Sequence, residues 1–318
     1  MAPREARHEA RPVDVSAADF RELFSEVTNW DRWRERPELG ALHFITAERI
    51  AAAAGLVRRG VTVSLGRPLD TEGGIDNPEP ARHEMTMLPD VDIGLGSLHF
   101  TKDYVGVDYH NEGHSHVDAL CHVAYQGKLY GGVPDTKVTS RGAAAGAISL
   151  LRDGLVGRGV LLDIPRLRGV RWLEPGDHVF PDDLDAAERA QGVSVEAGDI
   201  LLVRTGHARR QSEVAPWDTS ALKAGLHPSA ARFLAERRVA ALGSDGNNDT
   251  APNTTEGVAF PIHVLALNAM GIHLLDYLQF GDLVPACEAA ERWEFLFVAA
   301  PLRIVGGTGS PVNPIAIL

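Results

Sequence analysis

The sequence predicts a single α/β domain, and three features predict it. Short apolar runs bounded by glycine recur in the second half, among them VGRGVLLDI (156–164), GDILLVRTG (198–206) and RRVAALGSD (237–245), and read as buried strands. Helical patterns at 182–191, 229–238 and 261–270 alternate with them. The 318 residues, 44% of them hydrophobic, show no internal repeat, low-complexity tract or clean boundary, so one α/β unit accounts for them, with more strand than a doubly wound fold needs.

In chain order, residues 1–16 read as a polar arm followed by a short helix near 17–27, so that 1–28 precede a main domain at 29–318. ITAERIAAAAGLVRRG is a predicted helix with Thr46 as N-cap, Glu48 in its first turn and Gly60 ending it after two arginines. Ala47, Ile50, Ala51, Ala54 and Val57 would form its apolar face. VTVSLG (61–66) is a strand, and the Pro/Gly/Asn/Asp-rich stretch Arg67 to Pro80 a long loop of the kind that carries function. Alternating runs within 83–109 read as several strands, and GIHLLDYL and WEFLFVAAPLRI as strands near the end. GGTGS (306–310) lacks the lysine and following helix of a phosphate-binding loop and reads as a tight turn.

Composition excludes several functions. A formal net charge of −12 repels phosphate backbones and anionic membranes, so neither nucleic acid nor membrane is expected as a partner. Cys121 and Cys287 are too few for a disulfide framework or a cysteine zinc knuckle. No apolar run reaches about 18 residues and the start is polar, so a cytoplasmic location is expected. There is no G-x-S-x-G elbow, and Cys121 reads as a small buried thiol rather than a nucleophile.

The chemistry concentrates in YHNEGHSHVDALCHV, residues 109–123. On an extended backbone His110, Glu112, His114, His116 and Asp118 project to one side, a row of five potential ligands. Imidazole with carboxylate is the donor set of zinc, manganese and iron. Any one of these histidines alone would be an ordinary core or surface residue; their spacing makes the row a metal site. His122 lies where the strand turns and could serve beside the metal as an acid or base. Trp30, Trp33 and Tyr125, with Tyr130, are candidates for the wall of an apolar substrate pocket, or equally for core packing. Ser244-Asp245-Gly246-Asn247 is a candidate active-site loop or a plain turn.

The run His116-Val117-Asp118-Ala119-Leu120-Cys121-His122 resembles the latter part of the H-x-G-T-H-x-D-x-x-x-H signature of the metal-dependent cyclase family, which includes bacterial kynurenine formamidases and isatin hydrolases. Longer-chain members are also similar at PELGALHFITAERIAAAAGLVRRG, GKLYGGVP, RGVLLDI, GDILLVRTG and PLRIVGGTGSPVNP, which carries the resemblance from about residue 29 to the end. It implies the family's swivelling β/β/α fold. It also implies that His116 and Asp118 bind metal, that His122 is the acid/base, and that His263 and Asp276 in PIHVLALNAMGIHLLDYL complete the site, Asp276 standing where the family commonly has Glu. The start of the signature departs: Glu112 stands at the first ligand histidine and His114 at the glycine. Either Glu112 ligates as a carboxylate or His114 supplies the imidazole from a shifted position, with His114 taken first; His110 then orients a ligand by hydrogen bond.

The resemblance further implies a divalent metal, zinc or manganese, as one or two ions, a small-molecule substrate, and a homo-oligomer, dimer or tetramer. The expected activity is hydrolysis of an amide, lactam or lactone in a small cyclic or aryl substrate by metal-activated water, with His122 moving the proton. The alternatives are ring closure or dehydration of a carbonyl compound, and metal or small-molecule binding without catalysis.

Overall fold

The three glycine-bounded runs form neighbouring parallel strands, Leu155–Asp163, Ile200–Arg204 and Ala241–Ser244, with Gly159 and Ala241 both in register with Ile200. Their sequences lack polar alternation because both faces are covered; Ile200 to Val203 are fully buried. The computed structural model describes residues 14–91 and 93–318; residues 1–13 of the expected arm lie outside the described residues. His273–Asp276 extends the parallel set beside Ala241–Ser244, and antiparallel strands flank it on both sides. The resulting nine-stranded order is Thr62–Ser64, Ile315–Ile317, Glu294–Ala299, Leu155–Asp163, Ile200–Arg204, Ala241–Ser244, His273–Asp276, His116–Asp118, Gly309–Pro311.

That order forces the sheet to curl. Gly309–Pro311 is the last strand at one edge, Ile315–Ile317 lies second from the other, and only residues 312–314 connect them. An extended residue spans at most ~3.6 Å, so the two edges approach each other. Hydrogen bonds seal the approach: Ser64 Oγ donates to Asn313 Oδ1 at 2.6 Å, Leu65 N to Pro314 O at 2.8 Å and Val312 N to Ser115 O at 3.1 Å.

The helix Pro181–Gln191 buries Leu184 and Ala187, and packs on the strand Leu155–Asp163 and the helix Ala230–Arg237. Ala17–Val27 is capped by Ser16 Oγ, which accepts from Asp19 N at 3.1 Å, and its Phe20, Leu23 and Val27 join the main core. Among the described residues no helix is long and apolar enough to cross a membrane.

Some elements differ from expectation. The helix predicted to reach Gly60 spans Ala47–Ala54, because the N–H groups of Arg59 and Val61 are taken by the carbonyl of Leu318. The helix Leu283–Ala290 carries no sequence signal that survives Gly281 and Pro285; the proline sits in its first turn, where no N–H is needed. The histidine segment is strand only over His116–Asp118, and turns replace the extended backbone over 109–115.

Candidate metal centre

His116 and Asp118, two apart on one strand, share a face, and the antiparallel register sets Asp276 directly opposite His116. His116 Nε2 lies 3.6 Å from Asp118 Oδ1 and 3.9 Å from Asp276 Oδ2. His116 Nδ1 donates to the carbonyl of His114 at 2.9 Å, which leaves Nε2 unprotonated and turned to the carboxylates. Asn248 Nδ2 donates to Asp276 Oδ1 at 2.6 Å and fixes the second carboxylate.

His263 enters from a helical turn, Pro261–His263, that continues into the π-helical Val264–Met270. Asp249 orients it, accepting from Ile262 N at 2.7 Å, His263 N at 3.2 Å and His263 Nδ1 at 2.5 Å. The far nitrogen, Nε2, thereby faces Asp118 Oδ2 at 3.5 Å and Asp276 Oδ2 at 3.4 Å. Burial works against a charge on His263, but its bonds to Asp249 and Asp276 outweigh that and raise its pKa well above 6.5.

A second imidazole pair stands on the other side of Asp118. His110 Nδ1 lies 3.0 Å from Asp118 Oδ1, its Nε2 meets Thr308 Oγ1 at 3.0 Å, and its ring stacks on His122 at 3.9 Å. Gly309, opposite Asp118, makes room for this ring; a Cβ there would lie 2.8 Å from His110 Cε1. Two groups of donors therefore share Asp118: His116, Asp118 and Asp276, and His110, Asp118 and His122.

The donor set fits a divalent cation. Asp118 is fully buried and neither of its carboxylate oxygens has a hydrogen-bond partner, although imidazole nitrogens surround them. Burial pushes its pKa up, yet the neighbouring His122, His110, His116 and His263 more than reverse this and hold it below the usual carboxylate value. Acceptors converging on one buried point without donors are what a cation completes. Among the residues expected at the site, His116, Asp118, His263 and Asp276 come together with His122 beside them.

His114 does not join them. The turns over 109–115 break the alternation, and its fully buried ring points to Glu79, whose carbonyl lies 3.3 Å from Nε2. His110 supplies the imidazole expected of His114. Glu112, the second choice, lines the cleft above the centre but falls in neither donor group.

The cleft has a volume of about 480 Å³ and is lined by His110, Glu112, His116, His122, His263 and Asp276, with Tyr125, Phe260 and Tyr277 as aromatic wall. Tyr125 thus sits where a substrate wall was expected. Trp30 and Trp33 do not: both line a separate cavity of about 430 Å³, with Trp30 Nε1 donating to Asn268 O at 2.6 Å and Trp33 stacked on His43. Cys121 is buried, and burial pushes its thiol up to about 11, which suits a packing role. Burial, reinforced by three neighbouring histidines, takes His122 down to about 4 against the pull of Asp118, so its ring is neutral at pH 7 instead of poised near neutrality.

Four contributors went unread in the sequence. Asn248 and Asp249 directly follow the loop marked at 244–247, and the polar triplet after an apolar strand was the available signal. Thr308 and Gly309 lie in the GGTGS run, where a turn explained the residues and hid their service to His110.

Residues 80–248 match the Cyclase family model, described as "Putative cyclase". A crystal structure described as a novel cyclase is similar at 30% identity with TM-score 0.84, over 93% of this chain and 99% of that one. An isatin hydrolase bound to the product analogue thioisatinate shares the fold at 21% identity and TM-score 0.58, over 86% and 99% of the two chains. Isatin hydrolase A from Ralstonia solanacearum does so at 22% identity and TM-score 0.57, over 86% and 97%. No match to this chain is found among curated protein sequences.

Proposed function

The chain belongs to the Cyclase family, and from that premise we propose that it is a metal-dependent hydrolase opening an amide, lactam or lactone bond of a small cyclic or aryl substrate. One observation carries the reading: the orphaned carboxylate of Asp118, ringed by imidazoles and Asp276, at the floor of an aromatic-walled cleft of about 480 Å³. His116, Asp118, Asp276 and His263 would hold the ion, and the mixed imidazole and carboxylate donors suit zinc or manganese. A divalent ion so held brings the pKa of bound water toward about 7 and polarises a carbonyl.

The protein's own groups supply the rest. His122, neutral and in the cleft wall, is placed to take a proton from water and return it to the departing nitrogen or oxygen. Asp249 and Asn248 hold His263 and Asp276 in their orientations. Tyr125 and Phe260 offer flat apolar faces to a ring. The isatin hydrolases with the same fold support a cyclic or aryl amide as substrate, and the chain would work as a homo-oligomer.

Incubating the zinc- or manganese-loaded protein with N-formyl-arylamines, isatin-like lactams and unsaturated lactones, and measuring product mass, tests the reading. Gain of one water is expected for at least one class. Loss of water would assign ring closure or dehydration instead, and no turnover of any class with metal bound would leave a binding protein.

A further inference from the structure

The hydrolytic reading leaves one ionisable side chain of the cleft without a task. Glu112 lines the cleft with His116 and Asp276, yet its carboxylate makes no hydrogen bond or ion pair among the described residues. Its loop is firmly held: Arg67 Nη1 donates to the Glu112 carbonyl at 3.4 Å, Asn111 is buried with Oδ1 accepting from Gly113 N at 2.7 Å, and a Cβ on Gly113 would collide with Asn77. The carboxylate is therefore offered to the cleft from a fixed backbone instead of a mobile one.

The surroundings decide what it meets. No lysine or arginine lines the cleft. The two nearby cations are committed behind its wall. Lys223 is 2% exposed and its Nζ lies 2.9 Å from the amide oxygen of Asn247 once that side chain faces it, and Arg67 donates its Nη atoms to the carbonyls of Glu112 and Asp245. Across the same space stand the rings of Tyr125, Phe260 and Tyr277. A carboxylate facing aromatic rings, with no cation of its own, is a receptor for an ammonium group.

We infer that Glu112 is a specificity-determining residue that selects substrates carrying a protonated amine beside the scissile carbonyl, an inference resting on the hydrolytic reading only for the word substrate. A substrate with a carboxylate at that position would be repelled by Glu112 and would find no compensating lysine or arginine.

Equilibrium binding separates this from the reaction itself. Calorimetry on the full-length, zinc-loaded protein at pH 7 compares benzylamine, which is protonated there, with its neutral isostere benzyl alcohol. Benzylamine is expected to bind about tenfold tighter, the size of one charge-assisted contact. In Glu112→Gln that ratio falls to near one while bound zinc per chain stays unchanged. Equal affinities in the unaltered protein, or a preference that survives in Glu112→Gln, would overturn the inference without reference to turnover. Loss of zinc in Glu112→Gln would also overturn it, by making Glu112 a ligand. Absence of any hydrolysed substrate in the mass assay strikes the hydrolytic reading and leaves this result standing.

Discussion

Two cavities of similar volume, about 480 and 430 Å³, both draw walls from the segment 120–130. Both are rich in aromatic rings. In the smaller one the polar atoms of those rings are already satisfied, Trp30 Nε1 on Asn268 O at 2.6 Å and Tyr130 Oη on Asn29 Oδ1 at 2.8 Å. In the larger one the Asp118 oxygens are buried and unpartnered, and Glu112 projects into open space. Aromatic content thus fails to distinguish a packing defect from a site, whereas unsatisfied, converging polar atoms do.

Substitutions that separate the two cavities should fall in a clear order. Asp118→Asn removes the donor common to both groups, so bound metal per chain should fall to near zero and turnover by at least about a thousandfold; elemental analysis and kinetics check both. His122→Ala should lower kcat by about 10²–10⁴-fold while metal content is retained, since the ring moves a proton without being needed to hold the ion. Metal loss in that variant would instead assign the ion to His110, Asp118 and His122. Asp249→Asn weakens the hold on His263 Nδ1, and metal affinity should drop by about 10–100-fold in a competition titration with a chelator. Trp30→Phe, in the other cavity, removes one buried hydrogen bond and should lower unfolding free energy by about 1 kcal/mol in a denaturant titration, with kinetics and metal content unchanged.

The strands of the sheet were legible because burial on both faces writes itself as uninterrupted apolar runs, as in ILLVR and ALGS. The ligands His116, Asp118, His263 and Asp276 were legible through a motif resemblance, and His116 with Asp118 also through strand alternation, valid for the three residues that are strand. The same rule misplaced His114, since Asn111 and Gly113 turn the backbone before the strand begins. Closure of the sheet through Asn313 and Pro314 left no local trace; it depends on Ser64, Leu65 and Ser115 meeting residues about 200 or more positions away. Trp30 and Trp33 illustrate the same limit, because an indole that walls a cavity and one that reaches a substrate look alike in sequence.

Anomalous diffraction from crystals soaked in zinc or manganese, collected on either side of the metal absorption edge, locates the ion without reliance on any substrate. A peak within ligand distance of His116, Asp118 and Asp276, with His263 adjoining and His114 out of reach, is the expected result. No peak in the cleft, or a peak bonded to His114, would contradict it.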